Sequence, residues 1–168
     1  MSKVKKYTII AALGLAAGAV FYLPYIKYIL YDAQLASMGI SNTQSGYLMT
    51  IYTIFNMILY VPGGILADKI SARKALSYSC IATGALGFVY LFTMKNLVIS
   101  LCVWAGFAVS AGFVLWAALY RTVRMIGDEN EQGFLYGVYY ACNGLACAIV
   151  NMTGVWIYGT GATMESGF

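Results

Sequence analysis

Histidine is absent from this 168-residue sequence, proline occurs twice, and acidic side chains number only six. Without an imidazole there is no ordinary general base near neutral pH and no His-based metal site. The four cysteines, Cys80, Cys102, Cys142 and Cys147, stand singly inside apolar segments with no CxxC pair. A disulfide framework and a thiolate zinc site are therefore excluded. No two carboxylates share an apolar segment, no nucleophile sits beside a base, and Gly14 and Gly18 lack the strand–loop–helix setting of a phosphate cradle. The sequence thus offers no catalytic residue, metal site or cofactor site, and an enzyme has no residue set to work with.

Charge is scarce as well, at 10% of residues against about 25% in an ordinary soluble domain. What fills the space is apolar, with 61% of the chain hydrophobic. That composition predicts an all-α, polytopic membrane helix bundle forming a single domain in the lipid bilayer. The net charge of +4 needs no nucleic acid to explain it, because basic residues spread over loops set membrane orientation.

Taking roughly 20 mainly apolar residues as one crossing, the sequence predicts spans at about 7–31, 45–66, 75–94, 97–120 and 134–158. Lys3, Lys5 and Lys6 before an apolar run imitate a secretory signal, but the apolar character continues past Tyr25 and further spans follow. An uncleaved first span is the expectation. Ser41-Asn42-Thr43-Gln44 supplies N-cap side chains and a glutamine at capping-box distance before the second span. If the N-terminus is inside, Lys3, Lys5, Lys6, Lys69, Arg73, Lys74, Arg121 and Arg124 lie inside, and only Lys27 and Lys95 lie outside. The positive-inside rule then predicts a multi-pass protein of the cell membrane with a cytoplasmic N-terminus.

Residues three or four apart share a helix face, and the spans read accordingly. Tyr22, Tyr25, Tyr28 and Asp32 form a stripe near Pro24 and Lys27, while Tyr52, Asn56 and Tyr60 form another. In the last span Tyr136, Tyr140, Asn143, Cys147 and Asn151 run beside a small-residue stripe of Gly133, Gly137, Ala141, Gly144 and Ala148. The small stripe is expected to pack on a neighbouring helix and the polar one to meet a cavity or polar partner. The third span, with neither charge nor amide inside it, is expected to face lipid.

Between the second and third spans stands Gly64-Ile65-Leu66-Ala67-Asp68-Lys69-Ile70-Ser71-Ala72-Arg73-Lys74. This resembles the loop 2–3 signature of the major facilitator superfamily, Gly-x-Leu-Ala-Asp-Arg/Lys-x-Gly followed by a basic cluster. Ser71 replaces the usual glycine, and Ala72 stands where the basic cluster often begins. The resemblance implies the amino-terminal part of a twelve-helix secondary transporter, whose sixth helix and second half lie outside this chain or come from a second chain. It also implies a latch role for Asp68, with Arg73 pairing to an acid such as Asp128, Glu129 or Glu131. The helix-five antiporter motif of that family is missing, since 133–151 contains no proline. The Tyr31-Asp32 segment, Pro62-Gly63-Gly64 and the run from Arg121 to Gly133 are similar to the sugar-phosphate permease branch.

From these readings the candidate cavity residues are Tyr25, Lys27, Tyr28, Tyr52, Asn56, Tyr136, Tyr140 and Asn143, taking a small, anionic organic solute. Lys27 has two readings, an anion contact or a side chain snorkelling to the membrane interface. The asparagines can equally make interhelical hydrogen bonds. A different class also fits: a small polytopic partner or sensor that moves no solute.

Overall fold

The structure is a computed structural model that describes residues 3–165 apart from 23 and 114. Among these residues every regular element is helical. Helix α1 spans Lys3–Phe21 and is followed by a 3-10 turn at Pro24–Tyr28 and a short α2 at Tyr31–Met38. Two long helices come next, α3 at Asn42–Ala67 and α4 at Ala72–Thr93. Helices α5, Leu97–Phe107, and α6, Leu115–Ile126, are joined through a π-helical turn at Ala108–Gly112, and α7 covers Gln132–Glu165. Four stretches are long and apolar enough to cross a membrane: Asn42–Ala67, Ala72–Thr93, Leu97–Ile126 and Glu129–Gly161.

The expected first span, 7–31, is not one continuous helix. Regular helix stops at Phe21, because Pro24 has no N–H to continue the ladder and its ring would strike the preceding turn. The 19 residues of α1, at about 1.5 Å each, still come close to the roughly 30 Å of a bilayer core. Residues at i and i+3 eclipse in a 3-10 turn, so Tyr25 and Tyr28 remain ring neighbours, their centroids 6.2 Å apart. Helix α2 ends at Gly39, whose φ of 64° is the left-handed conformation that glycine adopts freely.

The connection between α3 and α4 is shorter than the sequence suggested. Gly64 to Ala67 still belong to α3, and Ala72 to Lys74 already belong to α4. Pro62 lies inside α3 instead of ending it. At the start of α3 the capping box forms in full: Ser41 Oγ accepts from Gln44 N at 3.3 Å, and Ser41 N donates to Gln44 Oε1 at 2.9 Å. Asn96 caps α5 by accepting from the backbones of both Val98 and Ile99.

Lipid gives helices no hydrophobic reason to associate, so close backbone approach and hydrogen bonds carry the packing. Helices α1 and α7 meet through Gly14 and Gly18, where an added Cβ would stand 2.5 Å from the carbonyl oxygens of Tyr139 and Asn143. The small stripe of the last span, expected to pack on a neighbouring helix, meets none among the described residues. Its residues, Gly133, Gly137, Ala141, Gly144 and Ala148, are exposed, and nothing lies within 4 Å of a Cβ built on its glycines. The reason is steric: the glycines of α1 already admit α7, which can therefore turn Leu135, Tyr139 and Ala146 inward.

A second close contact joins α3 to the π turn. A Cβ at Gly63 would collide with the Phe113 carbonyl, and one at Gly112 with Asn56 Oδ1. Around these contacts lie two apolar clusters, one holding Ile10, Leu119 and Tyr139, the other Leu48, Tyr52 and Trp104. Helix α4 exposes Ile81, Phe88 and Phe92, yet it also buries Ser79 and Thr83, and Thr83 bonds Ser110 of the π turn at 2.9 Å.

Candidate functional site

Pro24 and the 3-10 turn aim Lys27 inward. The residue is only 5% exposed, so its ammonium does not reach the surface. Its Nζ donates to the Ser45 carbonyl at 2.8 Å and to Ser45 Oγ at 3.3 Å. The Trp104 ring centroid lies 5.2 Å away and that of Tyr28 5.6 Å away, within cation–π reach. Among the described residues no carboxylate forms an ion pair with it.

Tyr25 of the same 3-10 turn, and Tyr52 and Asn56 of α3, continue from Lys27. Tyr25 meets Tyr52 edge to face at 5.9 Å, and Tyr52 meets Trp104 at 6.3 Å. Asn56 Nδ2 bonds the Tyr52 carbonyl at 2.9 Å, while Asn56 Oδ1 and the Tyr52 hydroxyl are buried without hydrogen-bond partners. Buried polar atoms left open in this way are uncommon. This half of the expected cavity, with Tyr28 exposed at its edge, is brought together.

The other half stands apart. Tyr136 donates to the Tyr120 carbonyl at 3.3 Å, and Tyr140 shares a 2.9 Å hydrogen bond with the Tyr120 hydroxyl. Asn143 lies deeper on α7 against α1, with its Oδ1 at 3.9 Å from Cys147 Sγ and its Nδ2 unpartnered. Tyr120 and the fully buried Tyr139 complete this aromatic group. Neither Tyr120 nor Tyr139 is among the candidate cavity residues expected from the sequence.

Trp104 was also missed, although it joins the two sides of the Lys27 region. It is 2% exposed and its indole N–H has no acceptor. A single tryptophan inside an apolar run gives no periodic signal. Beyond it lies a cavity of about 560 Å³, bounded by the 3-10 turn, α2, α4 and α5 and lined by Lys27, Gln34, Phe88, Tyr90 and Phe107 among others.

At the basic end the 68–71 connection is tied to α6. Arg121 Nη1 donates to the Asp68 carbonyl at 2.7 Å and to the Ala67 carbonyl at 3.1 Å, with Asp68 Oδ1 at 3.7 Å. Asp68 is thus engaged within this helix set, and it ends α3. Lys69, Arg73 and Lys74 are exposed, and Leu66 is half-buried. Of the paired glycines, Gly63 makes the close approach, while Gly64 faces open space. Arg73 forms no ion pair among the described residues; Glu131, one of its expected partners, instead accepts from Lys6 at 2.6 Å. The start of α1 is simply nearer to the 128–131 loop.

The geometry can be set beside known proteins. The family model of the Major Facilitator Superfamily matches residues 7–168. The inner membrane proteins YqcE and YihN of Escherichia coli K12 are each 30% identical, over 96% and 92% of this chain and 38% and 36% of their own lengths. An uncharacterized MFS-type transporter of Methanocaldococcus jannaschii, MJ1317, is 30% identical over 58% of the chain and 24% of its own length. The chain therefore spans little more than a third of the curated relatives YqcE and YihN. No solved structure matches. A family match running from Tyr7 to the last residue, on an all-helical apolar bundle, makes this chain a multi-pass membrane protein of the Major Facilitator Superfamily.

Proposed function

We propose that this chain belongs to a secondary transporter for a small organic anion, working by alternating access, with its N-terminus and basic end in the cytoplasm. The observation that carries the reading is Lys27, a buried ammonium with two hydrogen bonds to Ser45 and no acidic partner among the described residues. A charge buried without an opposite charge is costly and marks a functional site by default. Tyr25 beside Lys27, with Tyr52 and Asn56 on α3, would extend that site into a path, and binding energy that differs between outward and inward states would drive the change of access. The resemblance to the sugar-phosphate permease branch makes organophosphates the first solutes to try.

The exposed small-residue stripe of α7 has room for another helix, supplied by a second half or a second chain. That stripe also favours the alternative, a polytopic partner or sensor protein that moves no solute. Proteoliposomes carrying the natural gene product, loaded with labelled glycerol 3-phosphate and monocarboxylates, separate the readings. Flux of an anion that falls about tenfold in Lys27→Ala, equivalent to one lost charge-assisted hydrogen bond, supports transport through this site. Equal flux in both removes Lys27 from the path, and no anion flux at all leaves the partner reading.

A further inference from the structure

We infer that the cavity between the 3-10 turn, α2, α4 and α5 binds a monocarboxylate with an apolar, preferably aromatic, body. The inference rests on the anion reading of Lys27 and narrows it to one chemical class. Its volume of about 560 Å³ falls within the range of small-ligand sites, roughly 300 to 1,000 Å³. A two-chain phospholipid is too large for it.

Charge decides the head group. Among the described residues Lys27 is the only charged side chain lining the cavity. Two of its ammonium protons are used by Ser45, which leaves one to donate. The indole N–H of Trp104 is buried and has no acceptor, and the ammonium stands 5.2 Å from that ring. The remaining ammonium proton can make a charge-assisted hydrogen bond to one carboxylate oxygen. A single cation neutralises a monoanion; a phosphate dianion would leave one negative charge buried and uncompensated.

The walls decide the body. Tyr90, Trp104 and Phe107 stand edge to face with centroids 6.3 to 6.4 Å apart, an arrangement that suits a further ring. The polar groups on the wall are few. The Tyr90 hydroxyl is already bonded to Gln34 Nε2 and Met38 Sδ, and Gln34 Oε1 is the one open acceptor. The hydroxyls of a sugar would be desolvated here without partners.

Equilibrium dialysis of the purified natural gene product against labelled phenylacetate tests this, with octanoate, palmitate and glycerol 3-phosphate as competitors. Phenylacetate is expected to bind, glycerol 3-phosphate not to compete, and Lys27→Met to weaken binding at least about tenfold, the value of a charge-assisted hydrogen bond. Gly84→Leu is the second variant: nothing lies within 4 Å of a Cβ at that position on the cavity wall, so the side chain fills the space without disturbing the bundle. It too should abolish binding. Competition by octanoate points to a water-borne acid, and competition by palmitate alone to a membrane-borne one. Unchanged phenylacetate binding in Gly84→Leu overturns the assignment to this cavity. Binding of glycerol 3-phosphate but not phenylacetate, still dependent on Lys27, overturns the monocarboxylate and leaves the anion reading standing. No Lys27-dependent binding of any of these anions ends both.

Discussion

Lys6 and Glu131 meet across 125 positions of sequence and close the basic end of α1 onto the turn before α7. The Glu131 hydrogen bond holds the Lys6 ammonium above its ordinary value, and the Lys6 bond holds the Glu131 carboxyl below its own. A lowered carboxyl contributes fully above the ordinary carboxylate range and loses its contribution as pH falls through the lowered value. A raised lysine contributes fully below the ordinary lysine range and fades only as pH rises through the raised value. The contact should therefore be constant between about pH 4.3 and 10.4 and open on acidification. Carbon NMR of the Glu131 carboxyl should show a midpoint below about 4.3 that moves upward in Lys6→Gln; a midpoint indifferent to that change refutes the pairing. Both charges were visible at span ends, but which acid meets which base depends on the tilt of α1 against α7. Spacing along the chain carries no trace of that.

Helix α1 and helix α7 show what periodicity can and cannot supply. The small stripe on α7 was legible as a stripe, while Gly14 and Gly18 of α1 were weighed only as a phosphate cradle, and a pattern of small residues names no partner. The structure uses Gly14 and Gly18 and leaves Gly133, Gly137 and Gly144 open. Gly18→Ala should therefore force the helices apart at the Asn143 carbonyl and cost about 1 to 3 kcal/mol, the usual range for overpacking. Gly137→Ala should leave stability unchanged or raise it, since helix propensity favours alanine. Thermal unfolding of the two variants in detergent decides the matter, and equal midpoints would contradict the packing described. The capping box at Ser41 and the cap at Asn96 were readable because they depend on neighbours within three residues. The break after Phe21 left no mark in the sequence beyond Pro24 standing inside the expected first span.

For the whole molecule, the four crossing stretches and their boundaries follow from apolar length, which a bilayer fixes closely. The tie between Asp68 and Arg121 gathers the ends of α3 and α6 at the pole where most of the basic residues lie. Orientation is tested in a cysteine-free background with a membrane-impermeant maleimide applied to intact cells. Lys95→Cys should be labelled and Ser71→Cys protected until the membrane is opened; the opposite pattern inverts the topology. Lys27, Tyr25 and Tyr52 stood out in the sequence because tyrosine and lysine are conspicuous in apolar runs, and of the three only Lys27 lines the cavity described above. Trp104 and the wall it shares with Tyr90 and Phe107 did not stand out, because apolar aromatic residues look alike on every side of such a helix.

The π turn at Ala108–Gly112 sits between Trp104 and Arg121 on what would otherwise be one uninterrupted rod. A π turn takes in one residue more than an α turn, and each residue advances a helix by about 100°. Drawn as regular α-helix, that turn would swing Phe113, whose carbonyl meets Gly63, about a quarter turn round relative to Trp104. The extra residue therefore sets the phase between the cavity wall at Trp104 and the close approach of α3 at Gly63.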